Sequence, residues 1–184
     1  MKALIVIDFT YDFVVGKLPV GQPAIQIEDR IAELTEQFIQ NGDWVVMAVD
    51  AHDENDPFHP ESKLFPVHNV RGTTGRNLYG KLNDTYKNYE KDIYWMDKVR
   101  YSAFCGTDLD LQLRARGIRE IHLAGVCTDI CVLHTAIDGY NRGYSLAVHE
   151  DAVASFNPEG HRWAVGHFQA TLGAEVLNQS RPKK

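Results

Sequence analysis

Apolar and polar positions alternate in blocks along this chain. Ala3-Leu4-Ile5-Val6-Ile7 is an unbroken apolar run closed by Asp8, and four later runs of similar length repeat the form. Short, largely apolar runs bounded by polar residues or Gly predict buried strands, here at residues 2–8, 44–50, 93–97, 120–126 and 144–149, with 174–177 as an edge strand. Between them helices are predicted over 24–41, with Gly42 as its stop, and over 108–116, 129–141 and 159–171. Strands alternating with helices make βαβ units. The pattern therefore predicts an α/β fold: one Rossmann-like, three-layer α/β/α domain with a mostly parallel sheet. Residues 51–80 break the rhythm. They are polar, rich in Asp, His, Pro and Gly, and too long for a plain connection, so they read as an insertion that serves a site.

Composition narrows the class. A chain of 184 residues with 44% hydrophobic content fits a single domain with a real core. The net charge of -6, with no basic stripe carrying interleaved aromatics, argues against nucleic acid as a partner. No segment reads as a membrane span, and Met1-Lys2 runs straight into the first strand rather than into a signal peptide. Three cysteines do not make a disulfide framework, which points to a reducing cytoplasm.

In an open parallel sheet the ligand lies beyond the carboxyl ends of the strands. Those ends carry Asp8, Asp50, Lys98 and the turn Gly125-Val126-Cys127-Thr128-Asp129-Ile130-Cys131. Singly each is ordinary: Asp caps helices and forms turns, Lys is solvated, and free Cys is often a small buried hydrophobe. Together an acid, an acid, a base and a thiol supply what a nucleophile requires. Cys131 falls in the first turn of the predicted helix 129–141, where unpaired N–H groups and the helix dipole would hold a thiolate below the free thiol's pKa of ~8.5. Asp8 then reads as the general base, Lys98 as a fixed cation, and the backbone N–H groups of Cys127 and Cys131 as an oxyanion hole. The chain has no Gly-x-Ser-x-Gly elbow, no His-Glu-x-x-His helix and no Gly-x-Gly-x-x-Gly turn after its first strand.

Two metal arrangements compete. Cys127, Cys131 and His134 could share a helix face, but they lack a fourth ligand and the close pairing of a zinc knuckle. Asp50 and His52, two apart at a strand end, point to the same side and suit two ligands of one ion. Beyond them the polar stretch offers Asp53, Glu54, Asp56, His59, Glu61 and His68 as further donors.

These residues carry a resemblance. Asp8 with Asp12-Phe13, Asp50-Ala51-His52, Asp97-Lys98 before Tyr101-Ser102-Ala103-Phe104, and the Gly125 to Cys131 turn resemble, in order and over nearly the whole chain, the isochorismatase-like cysteine hydrolases. Within that superfamily the chain is most similar to the nicotinamidases. The resemblance implies a hydrolase domain over 1–180 followed by a short basic tail at 181–184. It implies an Asp8, Lys98, Cys131 triad that hydrolyses nicotinamide to nicotinate and ammonia through a Cys131 thioester, with a cis peptide before Cys127. It also implies one divalent ion on Asp50, His52, Glu61 and His68, with zinc foremost and manganese or iron as alternatives. Phe13, Phe65, Trp95 and Tyr101 are expected beside a small aromatic amide substrate, and a homo-oligomer is common among relatives. Thr10 stands where many relatives carry Gln, so a side-chain amide contact to the triad is not expected here. Cys105 is read as structural, and Cys127 as a rival for metal or an oxidised partner of Cys131. The competing functions are an amidase of the same superfamily acting on carbamoyl or ureido substrates, and a non-catalytic ligand-binding or redox-sensing module. A complete Asp8, Lys98 and Cys131 set argues against the module, and against isochorismate ether hydrolysis, whose relatives lack the cysteine.

Overall fold

The computed structural model describes residues 1–178, so the tail at 181–184 lies outside the described residues. Six strands form one sheet: β1 (Ala3–Ile7), β2 (Trp44–Asp50), β3 (Ile93–Lys98), β4 (Glu120–Val126), β5 (Ser145–Ala154) and β6 (Glu175–Leu177). Their order is β3-β2-β1-β4-β5-β6, and every pairing is parallel. The chain starts in the middle of the sheet, winds outward to β3, then returns to the other side of β1. The reversal between β1 and β4 opens a crevice at their carboxyl ends.

Both faces of the sheet are covered, which is why β1 is apolar at every position rather than at alternate ones. Ala3, Ile5 and Ile7 pack with Leu109, Leu113, Ala136 and Phe168, from α5 (Leu109–Ala115), α6 (Leu133–Asn141) and α7 (Pro158–Ala170). Leu4 and Val6 pack with Ile31, Leu34, Phe38 and Leu82, from α3 (Glu28–Gln40) and α4 (Gly80–Asn88) on the opposite face. Two short helices, α1 (Tyr11–Val14) and α2 (Gln22–Gln26), precede α3. Gly125 is required where β4 presses against β1: its φ is +113°, and a Cβ there would lie 2.0 Å from the Ile7 carbonyl oxygen.

Four elements differ from the sequence expectation. The helix expected over 24–41 is broken at Ile27, which leaves helical geometry (φ -98°, ψ 1°) and divides it into α2 and α3. α1 and α4 were not expected. α4 buries only Leu82 and Thr85, too narrow an apolar stripe to stand out from a polar stretch. β5 runs to Ala154 instead of 149, because an irregularity opposite Leu123 and Gly125 lets pairing resume beyond the polar residues Glu150 and Asp151. Among the described residues no helix is long and apolar enough to cross a membrane.

Candidate active site

β1, β2, β3 and β4 bring their carboxyl ends to one place. Asp8 follows β1 in the left-handed region (φ +54°), held there by its N–H donating to the Ala48 carbonyl (3.0 Å) and its Oδ1 accepting from the Asp50 N–H (2.8 Å). Lys98, the last residue of β3, is fully buried. Its Nζ donates to Asp50 Oδ1 at 2.5 Å, lies 2.7 Å from Asp8 Oδ2 and approaches Cys131 Sγ to 3.6 Å. The approach to Asp8 Oδ2 is a fully buried ion pair. A carboxylate oxygen of Asp8, one of Asp50 and Cys131 Sγ all lie within 4.8 Å of one another. The peptide bond between Val126 and Cys127 is cis, and Thr128–Val132 then forms a single wide helical turn before α6.

Burial and neighbouring charge set the protonation states. Burial together with the Asp50 charge pushes Asp8 up to about 7 despite Lys98. Burial would also raise Asp50, but the Lys98 charge, with the His52 and His68 rings close by, holds it well below the usual carboxylate range. The expectation for Cys131 is corrected here. Burial, with Asp8 and Asp50 close by, pushes its thiol well above the ordinary value, and Lys98 offsets only part of this. The helix terminus does not hold a resting thiolate, because desolvation outweighs partial charges at the end of one turn. Cys131 therefore rests as a thiol beside an acid whose affinity for a proton matches neutral pH.

A second group lies against the first. Asp50, His52, Glu61 and His68 are all buried, and one donor atom from each lies within 4.8 Å of the other three. Asp50 Oδ2 is 3.6 Å from His52 Nε2 and 3.7 Å from His68 Nε2, and His68 Nε2 is 3.8 Å from Glu61 Oε2. None of Asp50 Oδ2, His52 Nε2 and His68 Nε2 has a hydrogen-bond partner, although all are buried. Orphaned buried atoms of this kind are costly unless a ligand completes them. His68 Nδ1 donates to the Pro66 carbonyl (2.8 Å), which leaves the Nε2 lone pair pointing into the group, the arrangement a metal-binding imidazole needs. Two N and two O donors at these spacings fit a divalent first-row ion whose bonds are about 2.1 Å.

The competing donors go elsewhere. Asp53 is exposed and faces Arg71, Asp56 accepts from the Phe58 N–H, and Glu54 is exposed. Cys127 and His134 join no donor group among the described residues: the Cys127 thiol is buried and pushed up to about 12, and His134 Nδ1 donates to the Ile130 carbonyl. Cys105 is exposed, which corrects its reading as structural.

Beside Cys131 a narrow cavity is lined by Phe13, Leu18, Glu61, Phe65, Tyr101, Cys127, Ile130 and Phe156. Three of the four expected aromatics are there; Trp95 is not. Its Nε1 donates to Asp97 Oδ1 and its ring packs edge-on against Tyr86 of α4, so it belongs to the sheet's outer edge. Phe156 takes the fourth aromatic place. The rule that sites form at carboxyl ends would have found it, had the end of β5 been read as Ala154. Thr10 is buried, and its hydroxyl donates to Asn69 Oδ1 (2.9 Å).

Comparison with known proteins now places the chain. The isochorismatase domain model matches residues 2–180. This protein belongs to the isochorismatase family. It is 60% identical over 179 residues to an isochorismatase family protein, PncA, of Bacillus subtilis, with 95% of this chain and 98% of that one covered. It is also similar to the crystal structure of the nicotinamidase/pyrazinamidase PncA from Bacillus subtilis (TM-score 0.94, 58% identity, 96% of this chain and 100% of that one). A third relative is the pyrazinamidase of Pyrococcus horikoshii solved in complex with zinc (TM-score 0.86, 30% identity, 96% and 98% covered).

Proposed function

We propose that this protein hydrolyses nicotinamide to nicotinate and ammonia through a thioester on Cys131. The observation that carries the reading is the junction of two arrays at one cavity. A buried thiol beside Asp8 and Lys98 meets a buried four-residue donor set, and aromatic side chains line the space next to both. The similarity to solved nicotinamidases supports the same substrate.

Asp8, near neutrality in its proton affinity, takes the Cys131 proton as sulfur attacks the carboxamide carbon. Lys98 stabilises the charge on Asp8 and sulfur, and the Cys127 and Cys131 backbone N–H groups receive the oxyanion. Asp8 returns the proton to the departing nitrogen, ammonia leaves, and Cys131 holds the acyl group as a thioester. Asp8 then takes a proton from an attacking water, nicotinate forms and the thiol is restored. Asp50, His52, Glu61 and His68 would hold one divalent ion, zinc, manganese or iron(II), which supplies a Lewis-acid anchor for the ring nitrogen. Phe13, Phe65 and Tyr101 would flank the ring, and aromatic faces favour a flat partner.

Ammonia release from nicotinamide, pyrazinamide and a panel of aliphatic and carbamoyl amides tests this. Turnover of the two heteroaromatic amides is expected, with a fall of at least about 10³-fold in Cys131→Ala, as loss of a covalent nucleophile produces. Retained turnover in that variant would overturn the thioester route, and a preference for carbamoyl substrates would favour the other amidase activity.

A further inference from the structure

His59 sits beside both arrays and was a rival ligand in sequence, yet it does not join the donor group. Its ring is buried, and both nitrogens are engaged. Nδ1 accepts from the Glu61 N–H (3.3 Å), and Nε2 lies 2.9 Å from the Val99 carbonyl oxygen. A carbonyl only accepts, so Nε2 carries the proton and Nδ1 has committed its lone pair to an amide. That single tautomer leaves no lone pair for an ion. The ring also packs on His52, with centroids 4.3 Å apart.

We propose that His59 is a positioning residue that locks the loop carrying Glu61 onto the end of β3, and so couples the metal-binding loop to the catalytic lysine. The contacts make that coupling concrete. By accepting from Glu61 N–H, His59 caps the short turn Pro60–Lys63 and fixes where Glu61 enters the donor group. Its ring face sets the plane available to His52. Its Nε2–H grips Val99, the residue after Lys98, and the Lys98 carbonyl in turn accepts from the Ala51 N–H between Asp50 and His52. Two of the four metal-donor residues and the backbone at Lys98 thus share one neutral imidazole. The proposal rests on the metal reading of Asp50, His52, Glu61 and His68.

The test uses Co²⁺ and Zn²⁺ on the full chain, at a temperature well below the melting point of each variant. His59→Phe keeps a ring but loses both hydrogen bonds, whereas the Asn oxygen in His59→Asn can replace Nδ1 as the cap for Glu61. Metal affinity measured by competition with a chelator is expected to fall about 10- to 100-fold in His59→Phe, the range for outer partners of a metal site, and to be partly rescued in His59→Asn. At saturating Co²⁺ the visible absorption bands of both variants should match those of the unaltered protein, because the ligands themselves are unchanged. An unchanged affinity in His59→Phe overturns the proposal, and so does an altered Co²⁺ spectrum, which would make His59 a ligand. Failure of the unaltered protein to bind either ion would overturn the metal reading, and this proposal with it.

Discussion

His52 and His68 beside Asp50, where β2 runs into the loop 51–80, and His122 and His149 beside Glu120, on β4 and β5, are two clusters of histidine and carboxylate, and all four imidazoles are buried. They differ in what their atoms face. His122 Nε2 donates to Glu120 Oε1 (2.9 Å), which leaves His122 Nδ1 to accept from His149 Nε2 (2.9 Å), while Phe38 covers both rings. Glu120 in turn pairs with Lys2 toward solvent. That chain is closed by its own partners. Around Asp50, three buried polar atoms point at one another with no donor or acceptor between them. Burial of histidine is therefore no mark of a site in this fold. The mark is an unfilled demand for a ligand, which a stable fold retains only where something outside the chain meets it.

The largest effect should separate the clusters by metal. His68→Ala is expected to weaken Zn²⁺ affinity by more than about 10³-fold, beyond what outer partners cost, whereas His122→Phe leaves it unchanged. Equilibrium dialysis followed by metal analysis reads both, and equal losses would erase the distinction between the clusters.

The second effect is on stability against pH. Burial, then the neighbouring His122 and Arg30 charges, hold His149 down at about 4, below its ordinary value of 6.5. The unfolded chain therefore binds the proton more readily than the folded one between those values. Stability from this group is fully present above pH ~6.5 and is lost as pH falls toward 4, by on the order of 3 kcal/mol. Urea unfolding from pH 7 to 4 should show this slope, and His149→Leu should flatten it. A slope that survives the substitution would move the acid sensitivity to His122 and His161, which burial also holds below their ordinary value, since Asp8, raised to about 7, gains stability as pH falls through this range.

The smallest effect concerns the aromatics. Phe13→Leu is expected to raise the KM for nicotinamide about tenfold through lost ring contact. Trp95→Leu should change kcat/KM no more than roughly twofold, as a substitution away from the reacting groups does. Steady-state kinetics decide it, and a Trp95 effect as large as that of Phe13 would bring the outer edge of β3 into the site.

Much of this was legible in the chain. Unbroken apolar runs can be satisfied only with both sheet faces covered, so the doubly wound parallel sheet follows from β1 and β2 almost directly. Asp8, Asp50, Lys98 and Cys131 were legible because strand ends are where such a sheet exposes chemistry. Trp95 and Phe156 were not, since which side of a strand end faces the crevice depends on where pairing stops, and an irregularity in β5 moved that point. α4 escaped because its buried stripe is only two residues wide.

The sequence by itself determined the fold class, the order of the chemical groups and the place of Cys131 in a strand-to-helix turn, because local periodicity and strand ends are written into consecutive residues. Only the tertiary structure decided that burial pushes the Cys131 thiol up, that both His59 nitrogens are spent on backbone while Nε2 of His52 and of His68 is not, and that Glu61 faces both the donor set and the cavity. Each of these depends on burial and on partners tens of residues away in the chain, and desolvation or a hydrogen bond exists only once folding has brought those partners together.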